Sequence, residues 1–208
     1  MLSGMLVRKP VRLDDVSDLV REQLFDVDLE GNDLNVWLYN TARLAISFGH
    51  VGVLVDAPKE GDKARPYWVT YTPKDILGFR TEIIDGVRQL TQVRLLEQIV
   101  EPDGKYGDKI VKQIRVLERG RYEIHRKDAK KSEYKLIEQG EMSIKDKIPF
   151  AIAYSNRVGY FESRSPLYDI AELNLKHYQI QSDLDNILHI SSVPMLAVFG
   201  YPNADEIT

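Results

Sequence analysis

The chain contains no cysteine, which excludes disulfides and thiolate metal sites and fits a reducing compartment. No apolar run approaches the ~20 residues that a membrane-spanning helix requires, so no membrane partner is expected. The opening Met-Leu-Ser-Gly-Met-Leu-Val-Arg-Lys-Pro lacks a charged segment followed by an apolar one, and does not read as a secretory signal. Positive charge is not in excess either. The formal net charge of −4 argues against a protein that grips nucleic acid tightly through its phosphates, but not against one that lets nucleic acid pass.

Catalytic and cofactor motifs are equally scarce. Gly61-Asp-Lys and Gly107-Asp-Lys lack the spaced glycine and the following Ser or Thr of a phosphate loop. The histidines, His50, His125, His177 and His189, are scattered, with no carboxylate at ligand spacing. Asp14, Asp15 and Asp18 read more simply as a helix N-terminus. Asp183 and Asp185 stand two apart on a helix and face different ways; a third group is Asp26, Asp28 and Glu30. Ser47, Ser163 and Ser165 have no nucleophile-elbow context. The run Arg119-Gly-Arg-Tyr-Glu-Ile-His-Arg-Lys with Lys130 and Lys131 is basic, but interleaved Glu123, Asp128 and Glu133 make it a solvated hairpin. The reading is therefore of a non-enzymatic protein without catalytic, cofactor-binding or metal-ligating residues.

What the chain does have is one long amphipathic stretch after Ser165. Leu167, Ile170, Leu173, His177, Ile180, Leu184, Ile187 and Leu188 recur at steps of three and four, the spacing of one helical face. Ser165 reads as the N-cap and Pro166 as the first helical residue. No Gly or Pro intervenes before Pro194, so the spacing predicts a helix of about 25 residues, roughly 37 Å long. The other face carries Asp169, Glu172, Lys176, Gln179, Asp183 and Asp185. Burying about seven apolar side chains is worth on the order of 10–20 kcal/mol gross, so the stripe must pack on its own domain or on another copy of the chain.

Ahead of it the elements fall in two groups. Asp14 or Asp15 caps a short helix through Phe25, and Asn32 or Asp33 starts a stronger one, Leu34 to Phe48, closed by Gly49. The apolar run Val51-Gly-Val-Leu-Val-Asp-Ala-Pro reads as a buried strand. A charged loop, 58–64, precedes a strand at 65–71, and Thr72 caps a helical turn. Asp85-Gly86 is a strong hairpin signal between Phe79–Ile84 and Val87–Ile99. Strands at Lys109–Leu117, Tyr122–Arg126 and Tyr134–Glu138 follow, with a turn at Asp128–Ser132. The region Tyr67–Tyr154 is expected to be an antiparallel meander closing with Ile148–Tyr154. Helices, then strands, then one long helix and a short strand at Met195–Phe199 make the fold class α+β.

Several stretches resemble the portal proteins, or head–tail connectors, of tailed bacteriophages. They are Gly4-Met-Leu-Val-Arg-Lys-Pro, Phe48-Gly-His-Val-Gly-Val-Leu-Val-Asp, Arg65-Pro-Tyr, Asp146-Lys-Ile-Pro-Phe and Ser165-Pro-Leu-Tyr-Asp-Ile-Ala-Glu-Leu-Asn. The order Ile148-Pro-Phe, the Asn156–Ser163 loop, Ser165-Pro-Leu and Met195–Phe199 follows the portal pattern. The resemblance implies a wing-like α+β domain over residues 1–160, a stem-like helix over 161–192 and the start of a clip over 193–208. It implies a structural subunit of a homo-oligomeric ring of about twelve copies at the capsid vertex, through which duplex DNA passes transiently during packaging and ejection. Its partners would be the terminase, the head–tail adaptor and a capsid or scaffold protein, and its place the virion, after assembly in the host cytoplasm. On this reading Leu173, Ile180, Leu184 and Ile187 are candidate subunit contacts, and Glu172, Lys176 and Asp183 candidate channel-facing residues. Portals are longer, with a second stem helix, a tunnel loop and a crown, so the chain is expected to be a fragment or truncated product, lacking residues before Met1 as well. Two other readings remain: a different virion or adaptor protein that binds through its β-meander, and an enzyme with a dispersed site.

Overall fold

Asp33 starts the best-defined helix. Its backbone is extended (φ −72°, ψ 169°) and its carboxylate accepts the Val36 N–H at 2.8 Å, satisfying one of the first-turn donors that a helix leaves unpaired. The helix, α2 (Leu34–Phe48), ends at Gly49, whose φ of 92° suits a residue without Cβ. In the computed structural model, which describes residues 4, 8–57, 65–127 and 133–192, the chain divides into two units, Met1–Pro166 and Leu167–Thr208.

In the first unit a shorter helix, α1, covers Asp18–Gln23. It begins later than its acidic residues predict: Asp15 is left-handed (φ 57°), and Ser17 is the cap residue without donating or accepting a side-chain cap bond. The inner face of α2 buries Leu34, Trp37, Thr41, Ala45 and Ile46. Trp37 meets Trp68 edge-on, their centroids 4.8 Å apart, and with Val27, Leu34 and Leu24 they form the smaller of two apolar clusters among the described residues.

β1 (His50–Asp56) leaves Gly49 directly and is the middle strand of a three-stranded antiparallel sheet. β2 (Tyr67–Tyr71) lies on one edge and β8 (Phe150–Tyr154) on the other. A separate five-stranded antiparallel sheet runs in chain order: β3 (Ile76–Ile84), β4 (Val87–Asp103), β5 (Gly107–Glu118), β6 (Arg121–Lys127) and β7 (Tyr134–Glu141). The meander thus holds for five strands and not for its expected ends. Tyr67–Tyr71 and Phe150–Tyr154 leave it to flank β1, whose Val51 and Leu54 are buried and whose amide and carbonyl groups need partners on both edges. The larger core, with Leu54, Tyr71, Val93, Leu95, Leu117 and Ile148, takes side chains from both sheets. β9 (Arg157–Gly159) and β10 (Glu162–Ser163) form a small hairpin beside it.

Asp85 and Gly86 both have positive φ, 51° and 76°, and Ile84 pairs with Val87, the geometry of a two-residue turn matched to strand twist. At Thr72 the expected cap is reversed, because Asp75 is the acceptor: its carboxylate takes both the Thr72 hydroxyl (2.6 Å) and the Thr72 N–H (3.2 Å).

The second unit contains α3 (Tyr168–Ser191), 24 residues long. Its start also departs from expectation. The cap position is Leu167, in helical conformation and without a side-chain cap bond, while the Ser165 hydroxyl donates to the Ile46 carbonyl at 2.8 Å. The 58–64 loop, the Asp128–Ser132 turn, the Met195–Phe199 strand and the 193–208 segment lie outside the described residues.

Candidate functional site

The long helix carries the candidate site, and its geometry follows from about 100° of rotation per residue. Ile170, Leu173, Ile180, Leu184, Ile187 and Leu188 fall within a sector of about 100°. None of the helix is buried. The four proposed contact residues, Leu173, Ile180, Leu184 and Ile187, are 46–68% exposed. Leaving them so in water forgoes most of the about 1.5–3 kcal/mol that burial of each would contribute.

Glu172, Lys176 and Asp183 occupy the flank next to this stripe and are exposed. Asp185 lies on the opposite flank, where its carboxylate accepts from the Gln181 amide at 3.1 Å. The side facing away from the stripe, expected to be polar, is not uniformly so. Leu175 and Tyr178 stand there, 59 and 71% exposed, with Ala171 one turn before them. Their three- and four-residue spacing was a signal in the sequence, masked by the stronger stripe on the other side. The helix therefore has two apolar faces, roughly opposed, separated by charged flanks.

In the first unit the charged residues are drawn into a network that spacing did not indicate. Arg115 on β5 pairs with Asp56 on β1 and lies 2.9 Å from Glu97 on β4. Glu97 also accepts from the Tyr71 hydroxyl (2.7 Å) and the Gln113 amide (2.7 Å). Tyr67 donates to Asp56 at 3.2 Å. Burial, followed by the nearby Glu97 charge, pushes the Tyr71 phenol far above its ordinary pKa. This network lines an open cleft of about 370 Å³. Its carboxylates are occupied by the guanidinium, phenol and amide groups around them, so it fastens strand to strand across both sheets.

The other singled-out residues take structural positions. Asp26 accepts from the Gly31 N–H (2.9 Å) and pairs with Arg65 (2.6 Å). Asp28 accepts from the Glu30 N–H (3.0 Å) and the Asn32 amide (2.7 Å). Burial opposes the ionised form of Asp28, but these hydrogen bonds outweigh it and hold its pKa below the ordinary value. His50 is buried, its Nδ1 2.6 Å from Ser163 Oγ, and burial pulls its pKa down. His125 Nε2 lies 3.0 Å from Glu123. In the basic run, Arg121 pairs with Glu118 and Arg126 with Glu101 at 2.6 Å. Among the described residues no group of three or more His, Asp or Glu is placed to hold a metal ion, and no helix is long and apolar enough to cross a membrane.

A family described as a domain of unknown function (DUF4055) matches residues 166–208, the second unit and the residue before it. Comparison with curated proteins gives no match.

Proposed function

We propose that the chain is part of a structural subunit of a phage portal ring, forming the channel at the capsid vertex through which DNA is packaged and ejected, and docking the terminase and the tail adaptor. One observation carries this reading: a 24-residue helix without a buried residue, whose apolar stripe is exposed over its length. A stripe of that size demands a cover, and a neighbouring copy in a ring supplies one. The portal-like motifs, Ser165-Pro-Leu before the helix and Ile148-Pro-Phe before its approach, support the same reading. So does the charge along the helix, where Asp169, Glu172, Asp183 and Asp185 stand against Lys176 alone. A channel wall must release each phosphate it meets, and carboxylates do not hold phosphates.

The test is electron microscopy of the full-length gene product purified without cargo. Rings with a central hole are expected, and a monodisperse monomer at micromolar concentration would refute the proposal. A second reading, an adaptor that binds through its sheet, has one observation in its favour. The β4–β5 hairpin runs on as a two-stranded arm whose Val100 and Ile110 face each other, exposed, with Tyr106 near its tip. Association of the full-length product with one other virion protein, without self-assembly, would favour that reading.

A further inference from the structure

The two apolar faces of α3 set a constraint on how copies meet. The longer face runs from Ile170 to Leu188, while the shorter, centred on Leu175 and Tyr178, lies about 160° around the helix. Both are exposed. A helix that paired with its like through a single stripe would need only one of them, as in a two-fold contact where the same patch serves both partners.

Resting on the reading of α3 as a subunit contact, we propose that adjacent copies meet face to back. The Leu173–Ile180 face of one helix packs against the Leu175–Tyr178 face of the next.

Three features point to a second copy as the occupant of each face. Leu173 and Ile180 lie within two residues of Leu175 and Tyr178 along the same helix, so parallel neighbours related by rotation about a common axis bring them to nearly the same height. Each face thus finds its complement on an identical helix without a shift in register. The area matters as well. A 24-residue helix is about 36 Å long and 10 Å wide, so a face-to-back contact removes at most about 700 Å² from water. That is below the about 1,200–2,000 Å² of a stable pairwise interface, so an isolated pair is weak and a closed ring, giving each copy two contacts, is favoured. The third feature is the flank between the faces. With both apolar faces turned to neighbours, Glu172, Lys176 and Asp183 are left together on one of the two remaining sides, free to meet water or passing DNA.

Because this chain has no cysteine, the contact can be mapped by crosslinking in assembled full-length protein whose other cysteines, if any, are replaced. Ile180→Cys subunits co-assembled with Tyr178→Cys subunits and treated with a short bis-maleimide should give covalent dimers of the two variants. Either substitution alone should leave monomers on a denaturing gel. Dimers from Ile180→Cys alone would mean that like faces meet, and would overturn the inference. So would mixed rings in which both variants, each fully labelled by the reagent, remain monomeric. As a second measurement, Leu175→Asp with Tyr178→Asp should abolish rings while the circular dichroism of the chain is unchanged; normal rings from this variant would exclude the back face from the contact. If the unsubstituted protein forms no rings at all, the portal reading fails first. If it forms rings and only the back-face results fail, that reading survives and the face-to-back arrangement does not.

Discussion

Arg115 is the residue on which the first unit's polar interior depends. It stands between Asp56 and Glu97, and Glu97 is also held by Tyr71 and Gln113. Replacing Arg115 with Met keeps much of the volume but leaves two carboxylates half-enclosed with one another. Removing one partner from a buried ion pair costs about 3–5 kcal/mol, and a loss near the upper end is expected in urea denaturation; a loss below about 1 kcal/mol would make the cluster a surface pairing only. The phenols give a second prediction. Burial raises the pKa of Tyr71 and of Tyr67, and the adjoining Glu97 and Asp56 charges add to it. An unfolded tyrosine loses its proton near pH 10, whereas the folded groups keep theirs. Above that pH the unfolded state binds fewer protons than the folded one, so stability falls as pH rises, by up to about 1.4 kcal/mol per pH unit for each such group. Tyr71→Phe should flatten the decline in urea midpoint between about pH 9 and 11. An unchanged slope would remove Tyr71 as its source. None of this network was legible in the sequence, since Asp56, Glu97 and Arg115 lie on three strands far apart in the chain and only the sheets bring them together.

Among the elements, those defined by local chemistry were readable. Asp33 and Gly49 bracket α2 as their residue types require, and Asp85-Gly86 turns the β3–β4 hairpin with both residues at positive φ. The pairing of β1 was not readable, because an apolar strand does not state which neighbours will flank it. Nor was the start of α3, because a Ser-Pro pair permits a helix to begin at Pro166 but does not compel it, and the first helical residue is Tyr168. Gly49 shows how tightly that region is built. At its φ of 92°, a Cβ would run into Ser163 Oγ and lie 3.1 Å from both Arg164 C and Ser165 N. Gly49→Ala therefore combines a left-handed penalty of about 1–2 kcal/mol with a clash against backbone, and should destabilise more than Asp33→Ala, for which loss of the cap costs about 1 kcal/mol. Thermal melts of the two variants, side by side, give the order. If Asp33→Ala is the more damaging, the segment over Gly49 is looser than its distances imply.

At the scale of the molecule the imbalance of charge is local. Residues 167–208 carry six acidic side chains and one basic, while residues 1–166 carry 26 and 27. The acidic bias thus belongs to the unit whose helix has no buried residue, and the apolar cores belong to the other. That division sets the last prediction. Every member of the two clusters lies in residues 1–166, so aspartates at Ile180 and Leu184 should leave the folding of residues 1–166 intact. In a ring the same aspartates would meet an apolar neighbour, and each unpaired charge held there costs several kcal/mol unless it escapes to water. For full-length protein with Ile180→Asp and Leu184→Asp, rings should be absent from micrographs while the melting transition of the β-rich unit stays at nearly its normal temperature. Collapse of that transition would mean that the stripe completes an intrachain core. Normal rings with a normal melt would place the subunit contact on some other surface, and the exposed stripe would then need a different partner.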